Sequence, residues 1–145
     1  MVAWKTNSEY PSFHTVLIVS DEPETTTLWE TLFQQRECVV LREGTVNEAL
    51  QSARVIIPSL TVIDMRLSQT ERFMLCSELR STSSGPILMV VSADTVQQVL
   101  DARLAGADEC LVKPVNPAVL VVKAMAWLGR GQRSPVASPR IEAFA

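Results

Sequence analysis

The chain has 145 residues, a length that fits one domain with a single hydrophobic core. Apolar residues make up 47% and charged residues 20%, which excludes a disordered chain, and the net charge of −3 gives no general attraction to nucleic acid or to an anionic membrane. No apolar run approaches the roughly 20 residues of a membrane span, and residues 1–10 lack the apolar segment of a signal peptide.

Five apolar runs, most of them rich in β-branched residues, predict strands that are buried on both faces of a parallel sheet. The runs are Thr15–Val19, Cys38–Leu41, Leu60–Ile63, Ile87–Val91 and Glu109–Val112.

A helix is predicted after each strand. The five predicted helices run from Pro23 to about Arg36, from Val46 to about Val55, from Glu71 to Arg80, from Thr95 to Ala105, and from Pro117 to about Leu128. Thr45 with Glu48 predicts a capped start, Asn116 before Pro117 predicts another, and Gly106 suits the position just past a helix end. In the first helix we expect Leu28, Leu32 and Phe33 to lie on the inner face. The apolar positions of the third helix are Phe73, Leu75, Cys76 and Leu79.

The regular alternation of strands and helices predicts an α/β fold with right-handed crossovers and a doubly wound sheet. Residues 14–129 form the expected domain, preceded by an N-terminal extension at 1–13. Residues 130–145 are rich in Gly, Ser, Pro and Arg, which predicts a disordered tail or the stub of a linker. Cys38, Cys76 and Cys110 lack metal-site spacing, so we expect buried free thiols and a reducing cytoplasm.

Four predicted strands end on polar residues that suit phosphoryl chemistry. Asp64 closes the third strand, while Asp21, Ser92 and Lys113 follow the first, fourth and fifth. In an open α/β sheet the carboxyl ends of the strands are where ligands bind. Two carboxylates, a hydroxyl and an ammonium at one edge therefore predict chemistry on a phosphoryl group. Ser92 alone also suits an N-cap for a helix that begins near Asp94.

These residues belong to short motifs that occur in order, each at a strand end. The motifs are Val19-Ser20-Asp21-Glu22-Pro23, Val62-Ile63-Asp64, Val91-Ser92-Ala93, Ala105-Gly106-Ala107-Asp108 and Val112-Lys113-Pro114. Together they resemble the receiver domain of two-component response regulators, over about residues 15–128.

The resemblance implies a (βα)5 flavodoxin-like fold with strand order 2-1-3-4-5, and it assigns roles to the strand-end residues. Asp64 is then the acceptor of a phosphoryl group from a histidine kinase. Asp21, Asp64 and the backbone carbonyl of Arg66 are the implied Mg²⁺ ligands. Lys113 pairs with the phosphoryl oxygens and Ser92 bonds them. The resemblance implies signalling through protein contacts, without direct binding to nucleic acid or membrane.

The sequence departs from the family pattern at several positions. Ser20 stands where a second acid is usual, and Cys110 stands where a switch aromatic is usual. Ser68 and Arg72 occupy positions near which the family has Pro and Gly. These departures leave open an atypical receiver that signals without phosphorylation.

Two other classes share parts of this pattern. A flavin carrier of flavodoxin type needs a Ser/Thr/Gly-rich phosphate loop, where this chain has the acids Asp21, Glu22 and Glu24. A haloacid-dehalogenase-type phosphohydrolase needs a second Asp two residues after the first, where Arg66 stands.

The last predicted helix carries a single charge, and its apolar residues lie all round it. A helix that covers one side of a sheet needs only one apolar stripe. Leu120, Ala124 and Trp127 or Leu128 supply a stripe for the core, which leaves Val119, Val122, Met125 and Ala126 for another chain. We therefore expect a homodimer through this helix, or contact with a downstream effector protein. No output module is recognised after the helix, so the chain either acts through a partner or is a fragment of a longer regulator.

Overall fold

The computed structural model describes residues 13–92 and 95–130. Its elements in chain order are β1 (Thr15–Ser20), α1 (Pro23–Gln34), β2 (Val39–Glu43), α2 (Val46–Ile56), β3 (Leu60–Asp64), α3 (Gln69–Thr82), β4 (Ile87–Val91), α4 (Val96–Leu104), β5 (Glu109–Val112) and α5 (Pro117–Gly129). The predicted N-terminal extension and tail lie outside the described residues, except Phe13 and Arg130. No helix within the described ranges is both long and apolar enough to cross a membrane.

The five strands form one parallel sheet in the order β2-β1-β3-β4-β5, which confirms the predicted fold and strand order. Side chains alternate between the two faces along each strand. Val16 and Ile18 of β1 pack under α1 and α5, while Leu17 and Val19 pack under α2, α3 and α4. β3 lies at the centre of the sheet, and each of its five residues is buried.

The predicted helix signals are largely confirmed. Pro23 occupies the first turn of α1, and the Thr45 hydroxyl accepts a hydrogen bond from the Glu48 backbone N–H at 3.1 Å. Asn116 accepts hydrogen bonds from two backbone N–H groups at the start of α5. Gly106 follows the C-cap of α4 with φ +124°, a conformation that favours glycine.

The third helix is longer at both ends than the predicted Glu71–Arg80. Ser68 and Glu71 form a capping box that starts the helix at Gln69. The hydroxyl of Thr82 donates to the Glu78 carbonyl and extends the last turn. The Ser-x-x-Glu pattern at residues 68–71 of the sequence indicates this helix start.

One predicted core position is wrong. The side chain of Leu28 is 49% exposed, and Trp29 and Phe33 form the buried face of α1 instead. Residues 29 and 33 are four apart and share one face, whereas residue 28 is turned away by about 100°. Among the apolar positions of α3, Leu75, Cys76 and Leu79 are buried, whereas Phe73 is 58% exposed.

The cysteines are free, as predicted. Cys38 and Cys76 are buried, and Cys110 is partly buried. Burial raises the pKa of the Cys76 thiol to about 11, so this thiol stays protonated at neutral pH.

Polar contacts fix α5 to the edge strand β5. The indole N–H of Trp127 donates to Glu109 at 2.7 Å, and the ammonium of Lys123 lies 3.0 Å from the other carboxylate oxygen of Glu109. The guanidinium of Arg130 stacks 4.0 Å from the centre of the Trp127 ring. Trp127 is thus held at the junction of the helix and the strand.

Candidate functional site

A cleft of about 370 Å³ opens where β1, β3, β4 and β5 end. The five residues predicted to form the site all line it: Asp21, Asp64, Arg66, Ser92 and Lys113. The parallel sheet brings them together because its strands all end at the same edge. The structure thus gathers residues that are more than 90 positions apart in the chain into one site.

Asp64 lies at the centre of the cleft. It is the last residue of the central strand β3 and is only 3% exposed. Its Oδ1 lies 2.8 Å from the ammonium of Lys113. Its Oδ2 is buried and accepts no hydrogen bond from the described residues. One carboxylate oxygen is therefore held by a cation, while the other remains to be satisfied.

The environment shifts the pKa of both members of this pair. Burial raises the pKa of the Asp64 carboxyl, and the charges of Glu22 and Asp21 add to the rise, although Lys113 opposes it. The hydrogen bond to Asp64 raises the pKa of the Lys113 ammonium despite its partial burial. The ionised carboxylate is therefore disfavoured by its surroundings, as is common for reactive groups.

The acidic side of the cleft follows β1. Asp21 is exposed, and the Glu22 carboxylate lies 3.6 Å from the Lys113 ammonium. Ser20 is aligned with Asp64 in the pairing of β1 with β3. The Ser20 hydroxyl accepts a hydrogen bond from the Glu22 backbone N–H at 3.0 Å. Ser20 thus holds the turn after β1, but it brings no charge to the cleft.

Ser92 follows β4 and is exposed. The alternative role as an N-cap is wrong, because Thr95 caps α4 instead. The Thr95 hydroxyl accepts from the Gln98 N–H, and the Gln98 side chain accepts from the Thr95 N–H. Ser92 is left at the rim of the cleft.

Two charged residues line the cleft that the sequence did not assign to the site: Glu22 and Arg72. Glu22 is adjacent to Asp21 in the same short loop, so the motif that predicted Asp21 in the site could also have predicted Glu22 there. Arg72 lies in the first turn of α3, and the capping signal at Ser68 would have placed it near the end of β3.

The oxygen atoms of the cleft fit a hard cation. Within the described ranges, no three His, Cys, Asp or Glu side chains form a group that can hold a metal ion by themselves. The cleft does offer the carboxylates of Asp21 and Asp64, with the buried Oδ2 of Asp64 unsatisfied, and Arg66 also lines it. Mg²⁺ prefers such oxygen ligands and keeps several waters.

The fold and the cleft define a doubly wound α/β domain with a buried carboxylate–ammonium pair at its strand ends. Residues 16–125 match the family model of the response regulator receiver domain, and the chain belongs to this family.

Several known proteins are similar to this chain. It is 30% identical over 115 residues to the regulatory protein VanR of Enterococcus faecium, a match that covers 79% of this chain and 50% of VanR. The BeF3-activated receiver domain of RstA from Klebsiella pneumoniae is 26% identical, with a TM-score of 0.68 over 79% of this chain and 97% of that domain. A two-component response regulator from Clostridium difficile shares the fold, with a TM-score of 0.72, 22% identity, and coverage of 81% and 97%. The chain spans about half the length of the curated relatives it matches.

Proposed function

We propose that this receiver domain accepts a phosphoryl group on Asp64 from a phosphohistidine of a histidine kinase. The observation that carries the proposal is the buried Asp64 carboxylate. Lys113 lies 2.8 Å from one of its oxygens, and the other has no partner among the described residues. The carboxylate is exposed only through the cleft at the end of the central strand.

The reaction transfers phosphorus between two nucleophiles. The bond from phosphorus to the imidazole nitrogen breaks as a bond forms to a carboxylate oxygen of Asp64. Such transfers depend mainly on positioning and charge stabilisation. Lys113 balances charge on the phosphoryl oxygens as a compact cation, and the Ser92 hydroxyl at the rim donates a hydrogen bond to them.

Mg²⁺ is the cation proposed for the site, held by Asp21, Asp64 and the backbone carbonyl of Arg66. When bound it neutralises negative charge on the phosphoryl oxygens. Because Ser20 supplies no carboxylate, we expect weaker Mg²⁺ binding than a site with two acids after β1 would give.

The proposed receiver unit is residues 14–129, in the cytoplasm, with its output passed on through protein contacts. The exposed face of α5 supports a homodimer. Val119 and Val122 are exposed on this helix, the latter by 56%, whereas Met125 packs partly against the core. The proposed contact is therefore narrower than the sequence suggested and is centred on Val119, Val122 and Ala126.

Phosphorylation with acetyl phosphate in Mg²⁺ tests the site, with intact mass as the readout. The wild type and Asp101→Asn, an acid on α4 that does not line the cleft, should each gain one phosphoryl group. Asp64→Asn should gain none. Phosphorylation of Asp64→Asn would contradict the assignment of Asp64 as the phosphoryl acceptor. A wild type that neither the small donor nor a kinase labels would favour the receiver that signals without phosphorylation.

Light scattering tests the proposed dimer. Wild type with a beryllofluoride mimic of the phosphoryl group should show dimer mass, and Val122→Glu should return it to monomer. Val55→Glu is the matched control, because Val55 is exposed on α2. Equal dimerisation of both variants would move the interface to another surface.

A further inference from the structure

Arg72 is a cation of the cleft that the proposed chemistry does not use. It lies in α3, where its backbone N–H donates to the Ser68 carbonyl at 2.9 Å, so its main chain is fixed by the helix. Its side chain lines the same cleft as Asp64 and is partly buried. No side-chain hydrogen bond or ion pair joins Arg72 to another residue within 13–92 and 95–130.

The charge of Arg72 acts on the thiols of Cys110 in β5 and Cys76 in α3. Burial raises the pKa of the Cys110 thiol, and the charges of Arg103 and Arg72 oppose that rise. Burial also raises the pKa of the Cys76 thiol, and the charge of Arg72 opposes that rise too. Asp21 and Glu22, in contrast, lie in the short loop between β1 and α1.

The charges that line the cleft are balanced before any phosphoryl group arrives. The acids are Asp21, Glu22 and Asp64, and the cations are Arg66, Arg72 and Lys113. Lys113 is already engaged by Asp64 at 2.8 Å and by Glu22 at 3.6 Å. Conversion of the Asp64 carboxylate into an acyl phosphate replaces one negative charge by about two, so it adds about one negative charge, and it brings three acceptor oxygens into the cleft. Lys113 is a single point charge that Asp64 and Glu22 already share, so a guanidinium in the cleft would give the phosphoryl oxygens further N–H donors beside the charges of Lys113 and of the proposed Mg²⁺.

We propose that Arg72 binds the phosphoryl group on Asp64 as a second cationic ligand, a role that rests on the proposed phosphorylation of Asp64. A guanidinium presents paired N–H donors that match two phosphoryl oxygens at once. The ligand class is a tetrahedral phosphoryl group or its mimic. Because Arg72 belongs to α3, its engagement would connect the phosphoryl group to α3, and this connection does not need an aromatic at position 110.

Titration with beryllofluoride in Mg²⁺, followed by calorimetry, tests this role. Arg72→Gln keeps a polar side chain with N–H donors, although a shorter one, and removes the charge. Its affinity for beryllofluoride should fall by about tenfold or more, as for other hydrogen bonds to charged groups. Arg54→Gln removes an exposed arginine of α2 outside the cleft and should bind as the wild type does. Arg72→Lys should fall between them, because it keeps the charge and loses the fork.

A second readout reports contact directly. The Nε–H signal of Arg72, identified in NMR spectra by its loss in Arg72→Gln, should move on addition of beryllofluoride to the wild type and stay in place in Asp64→Asn. Equal beryllofluoride affinity of wild type and Arg72→Gln, or an unmoved Nε–H signal in a wild type that binds, would overturn the role of Arg72 alone. A wild type that does not bind beryllofluoride at all would overturn the role together with the proposed function.

Discussion

Two helices on one face of the sheet, α1 and α5, are anchored more deeply than α4 on the other face. On one face, α1 and α5 bury large side chains, including Trp29, Phe33 and Leu120. On the other face, α4 buries only Ala102 among its nine residues, and Val96, Leu100 and Leu104 are exposed on it. Burial of apolar surface is the main source of helix stability in a folded protein, so α5 is firmly anchored and α4 is held by little.

This difference has a direct bearing on the cleft. α4 begins at the cap Thr95, three residues after Ser92 at the rim. Elements with few buried apolar contacts open at lower free energy than the rest of a fold. The cleft is thus built on a rigid central strand on one side and adjoins the least anchored helix on the other. A change in the cleft is expected to move α4 before it moves α1 or α5.

The largest expected effect is the difference in stability lost when a large side chain is truncated in α1 and in α4. Phe33→Ala should reduce the free energy of unfolding by about 3–5 kcal/mol, because it leaves a cavity in a fully buried cluster. Leu100→Ala on α4 should cost only about 0.5 kcal/mol, because Leu100 is half exposed. Urea denaturation of both variants measures the free energy of unfolding. Similar losses in the two variants would contradict the weaker anchoring of α4.

Hydrogen exchange should rank the helices in the same way. Backbone amides in the middle of α4 are expected to open with a free energy on the order of 2 kcal/mol lower than those of α5. The measurement is native-state exchange followed by NMR or mass spectrometry. Equal protection of the two helices would show that α4 is stabilised by contacts other than apolar burial.

Asp64→Asn should stabilise the fold while it removes the proposed phosphorylation. The ionised carboxylate is disfavoured by burial, so a neutral side chain of the same shape should raise the free energy of unfolding by on the order of 1 kcal/mol at neutral pH. Thermal melts of wild type and variant measure it.

The pH dependence gives a sharper version of the same test. Because the pKa of Asp64 is raised in the folded state, the folded protein binds this proton more tightly than the unfolded chain does. Wild-type stability is therefore lost as pH rises from the ordinary carboxyl pKa through the raised folded pKa. The advantage of Asp64→Asn should be largest above that window and should shrink as pH falls through it, and an advantage that grows at low pH would contradict the raised pKa.

The smallest expected effect concerns the acidic side of the cleft. Ser20→Asp should tighten Mg²⁺ binding by about 1 kcal/mol, because residue 20 is aligned with Asp64 and a carboxylate there attracts the cation. It should also lower the stability of the metal-free protein, since its charge would join those of Asp21 and Asp64. Mg²⁺ titration of the two proteins measures this, and equal or weaker binding by Ser20→Asp would show that Ser20 does not limit the site.

The sequence predicted the sheet and the strand-end residues well, because both depend on local patterns. Apolar runs flanked by Asp64, Ser92 and Lys113 were enough to place these residues at one edge once the strands were taken as parallel. Family roles for Asp64, Asp21, Arg66, Lys113 and Ser92 stay predictions until the phosphorylation test is made.

What the sequence did not predict depends on tertiary packing. Leu28 and Phe73 are apolar and lie near the right spacing, yet small rotations of α1 and α3 leave them exposed and bring Trp29 to the core. Helix periodicity alone cannot determine this rotation, because the rotation of a helix about its axis depends on how its side chains pack on the sheet. In the sequence, Arg72 was noted only because the family has a glycine near this position. Its place in the cleft follows from where α3 begins.

Trp127 gives the protein an optical reporter of its own. Its indole donates to Glu109 on β5 and lies under the guanidinium of Arg130, so a shift of α5 against β5 would change the charges next to the ring. Indole emission responds to nearby charge, and the other described tryptophan, Trp29, is sealed in the core beneath α1. The intrinsic fluorescence of the unlabelled domain is therefore expected to follow the junction of α5 and β5 in real time.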